Sequence, residues 1–366
     1  MREHPLTRPV RRRRNWVTRI ALLAVAVMLT ACAGDQSALH PAGPYAQGPH
    51  DLIIIVAIIA LVVFVLVHAL IIYSVWRYRE RKDDDGSLPV QVHGNTRLEI
   101  VWTVIPAVVL AIIAVPTVQM IFDTMDEPDE DYLTVEVIGH RWWFEYYYPD
   151  YDIYTANELV IPADTPVRLE MTAADQAHSP DRGVIHSFWI PALAGKQDMV
   201  PGQTTTLNLQ ADEPGRYLGQ CAEYCGLSHV NMRARAVAYD DADWDAWLDA
   251  QATPAAIPDD GTLEAQGRDL FHDLGDDRMQ CASCHSIYED GDSRGPSQGP
   301  DLTHLMSREE FAGAIVDLDE ENLREWLADP NSVKAMQYDV NGIGMPDLDL
   351  TEDELDALVA YMLTLE

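Results

Sequence analysis

The chain has 366 residues, enough for two or three domains, and it is strongly acidic, with 59 Asp and Glu against 25 Lys and Arg and a formal charge of −34. Residues 1–31 hold seven Arg and one Glu, so the rest of the chain carries −40. Such a charge repels nucleic acid, and no nucleic-acid partner is expected. With 48% hydrophobic residues, nine Trp and fifteen Tyr, the chain can bury a core, which excludes a disordered protein.

The first apolar run, Ile20–Thr30, follows the basic N-terminal residues and is too short to cross a bilayer. This arrangement is typical of a signal peptide, which we predict over residues 1–31. The run ends in Leu29-Thr30-Ala31-Cys32, which resembles a bacterial lipoprotein signal, and the resemblance implies a lipid on Cys32. A signal peptide cleaved nearby, with an incidental cysteine, is the alternative. Residues 32–50 are then expected to form an outer tether.

Two later apolar runs are long enough to span a membrane. Leu52–Trp76 and Ile100–Phe122 each exceed the ~30 Å hydrocarbon core at ~1.5 Å per helical residue. The connecting loop is basic, with Arg77, Arg79, Arg81, Lys82 and Arg97. The outer flanks carry no Lys or Arg, so the positive-inside rule places the loop in the cytoplasm. We predict a transmembrane hairpin over residues 51–123, with the rest of the chain on the outer face.

The residues after the hairpin are patterned as strands. Tyr132–Tyr148 is rich in Val, Ile and aromatic residues, while Val167–Thr172 and Thr204–Gln210 alternate apolar with polar residues, the period of a half-buried strand. Short strands separated by Pro-Gly turns predict a β-sandwich over residues 130–240. Residues 241–261 are rich in Asp, Ala and Pro, and we expect a linker there with one short helical turn.

Helical periodicity follows the linker. We predict helices over Leu263–Phe271, Glu321–Leu327 and Thr351–Leu365, and the last opens with a capping box formed by Thr351 and Glu354. Residues 262–366 are therefore expected to be a small α-helical domain. The fold class predicted is a multidomain membrane protein, with a two-helix transmembrane hairpin, a β-sandwich and an α-helical domain.

The sandwich sequence contains a cluster of soft ligands in the pattern C-x-E-x-C-x₃-H-x₂-M, from Cys221 to Met232. Thiolates, an imidazole and a thioether on one loop select copper over hard cations, and His186 offers a second imidazole upstream. A mononuclear blue-copper site needs one Cys, so the pair Cys221 and Cys225 can instead bridge two copper ions. A disulfide between them would leave the His and Met spacing unexplained, and a zinc site does not need Met232.

Residues 45–245 resemble subunit II of the haem–copper cytochrome c oxidases, in which the sandwich is cupredoxin-like. The resemblance implies a dinuclear copper centre that receives electrons from cytochrome c. It implies a full set of copper ligands: bridging Cys221 and Cys225, His186 and Met232 on one copper, and His229 with the backbone carbonyl of Glu223 on the other. It also implies that the Glu223 carboxylate reaches toward a Mg²⁺ ion shared with subunit I.

Two more residues take expected roles from this resemblance. The stretch Gly139-His-Arg-Trp142-Trp-Phe-Glu-Tyr resembles the family pattern G-H-Q-W-Y-W, with Arg141 and Phe144 as departures, and Trp142 falls at the family's electron-accepting Trp. An aromatic residue of the sandwich core is the alternative. Glu99, at the start of the second membrane helix, falls where the family has a Glu at the mouth of a proton path into subunit I. A headgroup-level charge that caps the helix is the alternative.

The C-terminal domain has the signature Cys281-Ala-Ser-Cys284-His285, the attachment pattern of c-type haem, in which two thioethers fix the porphyrin and the His binds iron. A thioredoxin-like redox pair would need a βαβ setting. Gly267–Phe271 and Gly299–Leu302 also resemble class I cytochromes c, which implies a Met as the sixth iron ligand. Met345 and Met336 both qualify, and Met345 is favoured because it precedes a Pro just before the last helix, where that family has its Met-Pro.

The sequence is therefore identified as a member of the oxidase subunit II family with a fused cytochrome c domain, the caa type. We expect it to pass electrons from one covalently bound haem c to two copper ions and on to subunit I. Subunit I is expected to reduce O₂ with proton translocation. This chain is not expected to reduce O₂ itself, because it has no ligand set for that reaction. Expected partners are subunits I and III, an external cytochrome c or another donor, and the membrane. The expected location is the outer face of a bacterial plasma membrane.

Two other classes fit less well. A nitrous-oxide reductase pairs the same copper centre with a catalytic propeller, which would need several hundred more residues. A copper-handling or redox-sensing lipoprotein has no use for a fused haem domain.

Overall fold

The computed structural model describes residues 16, 19, 20, 22, 23, 34, 36–80, 90–91, 94–129, 131–174, 183–275, 278–289, 298–336, 338 and 342–366. Cys32 and most of the predicted signal peptide lie outside the described residues, as do Arg81 and Lys82 of the basic loop.

Two long apolar helices, α1 (Pro44–Arg77) and α2 (Thr96–Met125), are each long and apolar enough to cross a membrane, as predicted. Helix α1 begins at Pro44, where the fixed φ of proline suits the first helical position. Residues 44–50, predicted as part of the outer tether, therefore form about the first two turns of α1. Helix α2 begins after Asn95, whose side chain accepts hydrogen bonds from the amides of Arg97 and Leu98.

Ten strands form the predicted sandwich. They are β1 (Leu133–His140), β2 (Trp143–Tyr148), β3 (Ile153–Ala156), β4 (Glu158–Pro162), β5 (Val167–Ala173), β6 (His186–Trp189), β7 (Lys196–Met199), β8 (Thr205–Leu209), β9 (Gly215–Cys221) and β10 (Arg233–Tyr239). One sheet has the order β3-β2-β1-β5-β8 and the other β4-β10-β9-β6-β7. The pairs β1–β5 and β4–β10 are parallel, and the other pairs are antiparallel.

The sandwich core lies between the two sheets because its strands alternate buried with exposed residues, as β1, β5 and β10 do along their length. Across the core, the ring of Phe144 meets that of Phe188 edge-on at 5.2 Å. The aromatic run predicted as a single strand region, Tyr132–Tyr148, is the hairpin of β1 and β2, which turns at Arg141 and Trp142.

The sandwich is fastened to both ends of the membrane hairpin. Before α1, Ala42 donates its amide to the carbonyl of Ala192 at 2.7 Å and accepts from the amide of Asp212 at 2.9 Å. After α2, the buried side chain of Asn208 donates to the carbonyls of Thr124 at 3.2 Å and Asp126 at 2.6 Å. Asn208 therefore satisfies carbonyls that the end of a helix would leave unpaired.

The predicted linker over residues 241–261 is wrong in its first half. Helix α3 (Asp241–Ala252) occupies it and is three times longer than the short turn expected. Trp244 is buried, stacks on Trp247 at 5.2 Å and packs against Tyr148 of the sandwich. Each such aromatic contact is worth about 0.5–1.5 kcal/mol beyond its buried area, so α3 is held against the sandwich.

The C-terminal domain contains α4 (Leu263–His272), α5 (Glu320–Ala328), α6 (Pro330–Val333) and α7 (Glu352–Met362), which confirms the three predicted helices. The Thr351–Glu354 capping box at the start of α7 is present. Gly267 lets α4 approach α7, since a Cβ there would collide with the carbonyl of Ala357. A two-stranded hairpin, β11 (Glu310–Phe311) and β12 (Val316–Asp317), was not predicted.

Candidate metal centre and haem site

The soft ligands of the sandwich are brought together by the connection between β9 and β10. Cys221 ends β9 and Met232 directly precedes β10, and the amide of Cys221 donates to the carbonyl of Met232 at 2.9 Å, which closes the loop at its base. The amide of Ala222 donates to the carbonyl of Ser187 at 2.9 Å and ties the loop to β6. His186, the first residue of β6, is thereby held beside Cys221.

The five predicted side-chain ligands lie together, with two imidazoles and one thioether next to the two thiols. The Sγ atoms of Cys221 and Cys225 are 3.8 Å apart. The Nδ1 atom of His186 lies 3.8 Å from Cys221 Sγ, and that of His229 lies 3.6 Å from Cys225 Sγ. Met232 Sδ lies 3.9 Å from Cys225 Sγ. A 3₁₀ turn over His229–Asn231 brings His229 and Met232 to the same side, because residues three apart eclipse in that helix.

Glu223 presents its two ends to different surroundings. Its backbone carbonyl oxygen lies 3.2 Å from Cys221 Sγ, and its role as a copper ligand stays a prediction. Its exposed carboxylate accepts a hydrogen bond from the amide of Tyr224 at 3.2 Å. The hydrogen bond from the Cys225 thiol, together with His186 and nearby amides, lowers the pKa of Cys221 and favours its thiolate.

The donor set fits copper. Cys221 and Cys225 are 2% exposed and unpaired by a disulfide, whose S–S bond would measure about 2.05 Å. The buried thioether of Met232 suits copper better than zinc. The His186 ring packs against Gly139, where a Cβ would come within 3.0 Å of the ring, so glycine leaves room for it.

Trp142 lies against the copper loop. Its indole Nε1 donates to the backbone carbonyl of Cys225 at 3.2 Å. Its ring packs on Gly226, where φ is +120° and a Cβ would lie 3.2 Å from the indole. Trp142 is only 3% exposed, and it also lines the cavity of the cytochrome domain. The residue thus touches both candidate sites.

That cavity, of about 630 Å³, fits a haem. Cys281, Cys284 and His285 line it, as the attachment motif requires. The Nδ1 atom of His285 donates to the carbonyl of Pro300 at 2.8 Å, which leaves Nε2 free for iron. Burial lowers the pKa of His285, so its imidazole is neutral. Gly299 packs flat on the ring, where a Cβ would come within 2.7 Å.

Both candidate methionines line the cavity, and their packing differs. Met345 packs against the core of the cytochrome domain, and its Sδ accepts from Trp326 Nε1 at 3.1 Å. Met336 packs with Ile343 against the core of the sandwich, and its Sδ accepts from the amide of Met345 at 3.3 Å. The packing favours Met345 as the iron ligand, which stays a prediction.

Sequence reasoning missed two buried cations. Arg308 lines the haem cavity, donates Nη2 to the carbonyl of Asp301 at 2.7 Å, and has no partner for Nε among the described residues. A haem propionate would satisfy such a group. Lys334 is 4% exposed, and burial lowers its pKa to about 7. A loop Lys or Arg is usually solvated, so nothing in the sequence marked either one.

The structure does not decide the roles of two predicted residues. Glu99 lies in the first turn of α2, where a carboxylate also interacts well with the helix dipole, so both interpretations of Glu99 stay open. Cys32 lies outside the described residues, and its lipidation stays a prediction.

Family comparisons agree with this organisation. Residues 36–120 match the transmembrane domain of cytochrome c oxidase subunit II, residues 153–237 its periplasmic domain, and residues 264–366 cytochrome c. Cytochrome c oxidase subunit 2 of Alkalihalophilus pseudofirmus is 37% identical over 95% of this chain and 96% of its own length. The protein of the same name from Bacillus sp. strain PS3 is 33% identical over 96% and 98%.

Among solved structures, the periplasmic domain of subunit II of Bradyrhizobium japonicum cytochrome oxidase is 27% identical, with a TM-score of 0.31 over 35% of this chain and 96% of that domain. Copper and haem c are the cofactors of the matched domains, and association with other oxidase subunits such as subunit I follows from the family. The chain belongs to the cytochrome c oxidase subunit II family, as a membrane-bound electron-transfer subunit of a haem–copper oxidase with a C-terminal cytochrome c domain.

Proposed function

We propose that the chain carries electrons from one haem c through Trp142 to a pair of copper ions, and from there to subunit I of an oxidase in a bacterial plasma membrane. One observation carries the route. Trp142 lines the haem cavity and its indole donates to the carbonyl of Cys225, so one residue touches both sites.

In this proposal Cys221 and Cys225 would hold both coppers. His186 and Met232 would complete the ligands of one copper, and His229 with the Glu223 carbonyl those of the other. When bound, haem c and the copper pair would each supply a one-electron carrier. The buried backbone bonds that close the loop support this, because they hold the ligands in place whichever redox state is present.

The cytochrome residues have matching roles. Cys281 and Cys284 would attach the haem, His285 would offer its Nε2 to the iron, and Met345 would supply the other protein ligand. Arg308 offsets a propionate charge in the cavity, which its unpartnered Nε supports.

The surface beside the copper loop supports contact with subunit I. Tyr224, Leu227 and Val230 are largely exposed there, an apolar cluster that a protein partner would cover. In this proposal the exposed Glu223 carboxylate beside them is a ligand for a Mg²⁺ ion shared with that partner. Subunit III and an external cytochrome c complete the proposed assembly, and the acidic surface suits a basic donor.

Metal analysis and EPR of the outer part, residues 131–366, test this function. We expect two coppers and one haem per chain, with the hyperfine pattern of one electron shared by two copper nuclei. Cys225→Ser should abolish that pattern and leave the haem spectrum intact. One copper per chain, or zinc in its place, contradicts the dinuclear assignment.

A further inference from the structure

The cytochrome domain meets the copper domain through a small hairpin, Glu310–Asp317, which we call the docking hairpin. Its tip runs through Ala312, Gly313 and Ala314, all at left-handed φ of +54°, +87° and +57°. The tip lies on β10: the Arg233 amide donates to the carbonyl of Gly313 at 2.9 Å, and Arg235 Nη2 donates to that of Ala314 at 3.1 Å. The base of the hairpin is anchored in the cytochrome domain by the buried Phe311, so its tip is held against the copper domain.

Charge supports the same contact. The carboxylate of Glu310 accepts from Arg235 Nε at 2.6 Å and Nη2 at 2.9 Å, a two-pronged pair, and from Arg216 Nη2 at 3.1 Å. The Arg235 side chain is 11% exposed, so water screens this pair weakly. In a chain with 59 acidic and 25 basic residues, two guanidinium groups of one domain meet on a single carboxylate of the other.

Lys334 joins the two domains beneath the tip. Its Nζ donates to the carbonyl of Ala312 in the docking hairpin at 2.8 Å and to that of Trp142 in the copper domain at 2.6 Å. A buried ammonium group must find hydrogen bonds that replace those of water. Here one acceptor comes from each domain, so the set is complete only when the domains are in contact.

The tip is shaped for close backbone approach at Gly313. A Cβ at this position would lie 2.7 Å from the Asn231 carbonyl and 2.9 Å from the Trp142 carbonyl, and would collide with Lys334 Nζ. Only glycine leaves room for this contact, and its left-handed φ suits glycine as well.

We infer that the docking hairpin and Lys334 lock the cytochrome domain onto the copper domain at Trp142, with Lys334 as a positioning residue for haem-to-copper transfer. This inference rests on the proposed function and goes beyond it by naming the contacts that fix the cytochrome domain. Transfer starts from one fixed, docked arrangement and needs no search by a tethered domain.

Laser-flash reduction of the haem in the intact oxidase tests the dock. In the wild type, haem-to-copper transfer should be independent of solvent viscosity. Lys334→Met should slow it about tenfold, because it removes the two hydrogen bonds from a charged donor that hold the docked arrangement. The step should also become viscosity-dependent, because the domains must now find each other. The exposed Lys196→Met is the control and should match the wild type.

A second pair keeps the test independent of lysine chemistry. Gly313→Ala should slow transfer and make it viscosity-dependent, whereas Gly275→Ala should not. Gly275 lies in the same domain with φ of +72°, so the backbone strain is matched, and a Cβ there meets nothing within 4 Å.

The outcomes separate cleanly. Wild-type rates in Lys334→Met and Gly313→Ala, with both centres loaded, would overturn the dock and leave the proposed function standing. No haem-to-copper transfer in the wild type would overturn the proposed function itself.

Discussion

The indole Nε1 of Trp142 donates a hydrogen bond to the backbone carbonyl of Cys225 at 3.2 Å. Through that bond the residue that lines the haem cavity touches the peptide of a proposed copper ligand. The same Trp142 accepts a hydrogen bond at its own carbonyl from Lys334 of the cytochrome domain. One residue therefore contacts the proposed copper site through its side chain and the cytochrome domain through its backbone.

Trp142→Phe removes the N–H and keeps an aromatic ring. We expect haem-to-copper transfer to slow by about tenfold, because loss of one positioned contact of this kind loosens the geometry. Trp143→Phe is the matched control: Trp143 lines the same cavity but stacks on His140 at 4.2 Å, away from the copper loop. Flash-induced haem oxidation measures both, and equal rates in the two variants would contradict a path through Trp142.

Replacement of the two methionines decides the iron ligand. Met345→Ala should remove the Met–iron absorption band and let external ligands bind the haem, because the sixth position is then open. Met336→Ala should keep the band, since Met336 packs toward the sandwich. Optical spectra of the oxidised protein with and without added imidazole measure the change, and the reverse pattern would assign Met336.

Glu310→Gln tests the ionic part of the dock. The hydrogen bonds from Arg235 and Arg216 to this carboxylate are worth about 1.5–3 kcal/mol as bonds to a charged group, so their loss should weaken docking. We expect the variant's transfer rate to fall with added salt while the wild-type rate stays flat. Glu309→Gln is the control, because it removes one negative charge from the neighbouring residue. Its 73% exposed side chain also meets Arg216, at 2.7 Å, but a solvated pair contributes at most ~1 kcal/mol, so its salt profile should follow the wild type.

The stability of the cytochrome domain should depend on pH through Glu354. Hydrogen bonds from Arg278, at 2.5 and 3.1 Å, and from Thr351 lower its pKa from 4.5 to about 2. A lowered pKa in the folded state means that the charged carboxylate stabilises the fold above pH 4.5, and this contribution is lost as the pH falls toward 2.

Glu354→Gln should therefore lower the free energy of unfolding at neutral pH and flatten its dependence between these two pH values. Denaturant unfolding followed through the haem band measures it. Glu352→Gln, in a pair that is 83% exposed on the glutamate side, is the control and should keep the wild-type slope. An unchanged slope in Glu354→Gln would exclude this ion pair as the cause.

The copper loop was predictable because its candidate ligands from Cys221 to Met232 are close together in sequence. Their soft donor atoms indicate copper. The haem attachment was predictable for the same reason. Helix α3 was not predictable, since its Asp and Ala content suggested a linker. The contact that holds Trp244 against Tyr148 is not visible in the sequence. The dock was equally hidden, because the burial of Lys334 depends on a contact between residues 192 positions apart.

Asn208 and Ala42 tie the sandwich to the ends of both membrane helices. The height and tilt of the copper loop above the bilayer therefore depend on the position and tilt of the two helices in the lipid. Helices adapt to a thinner or thicker hydrocarbon layer by tilting. A change of helix tilt should therefore change the orientation of the sandwich, which Asn208 and Ala42 hold to the helix ends.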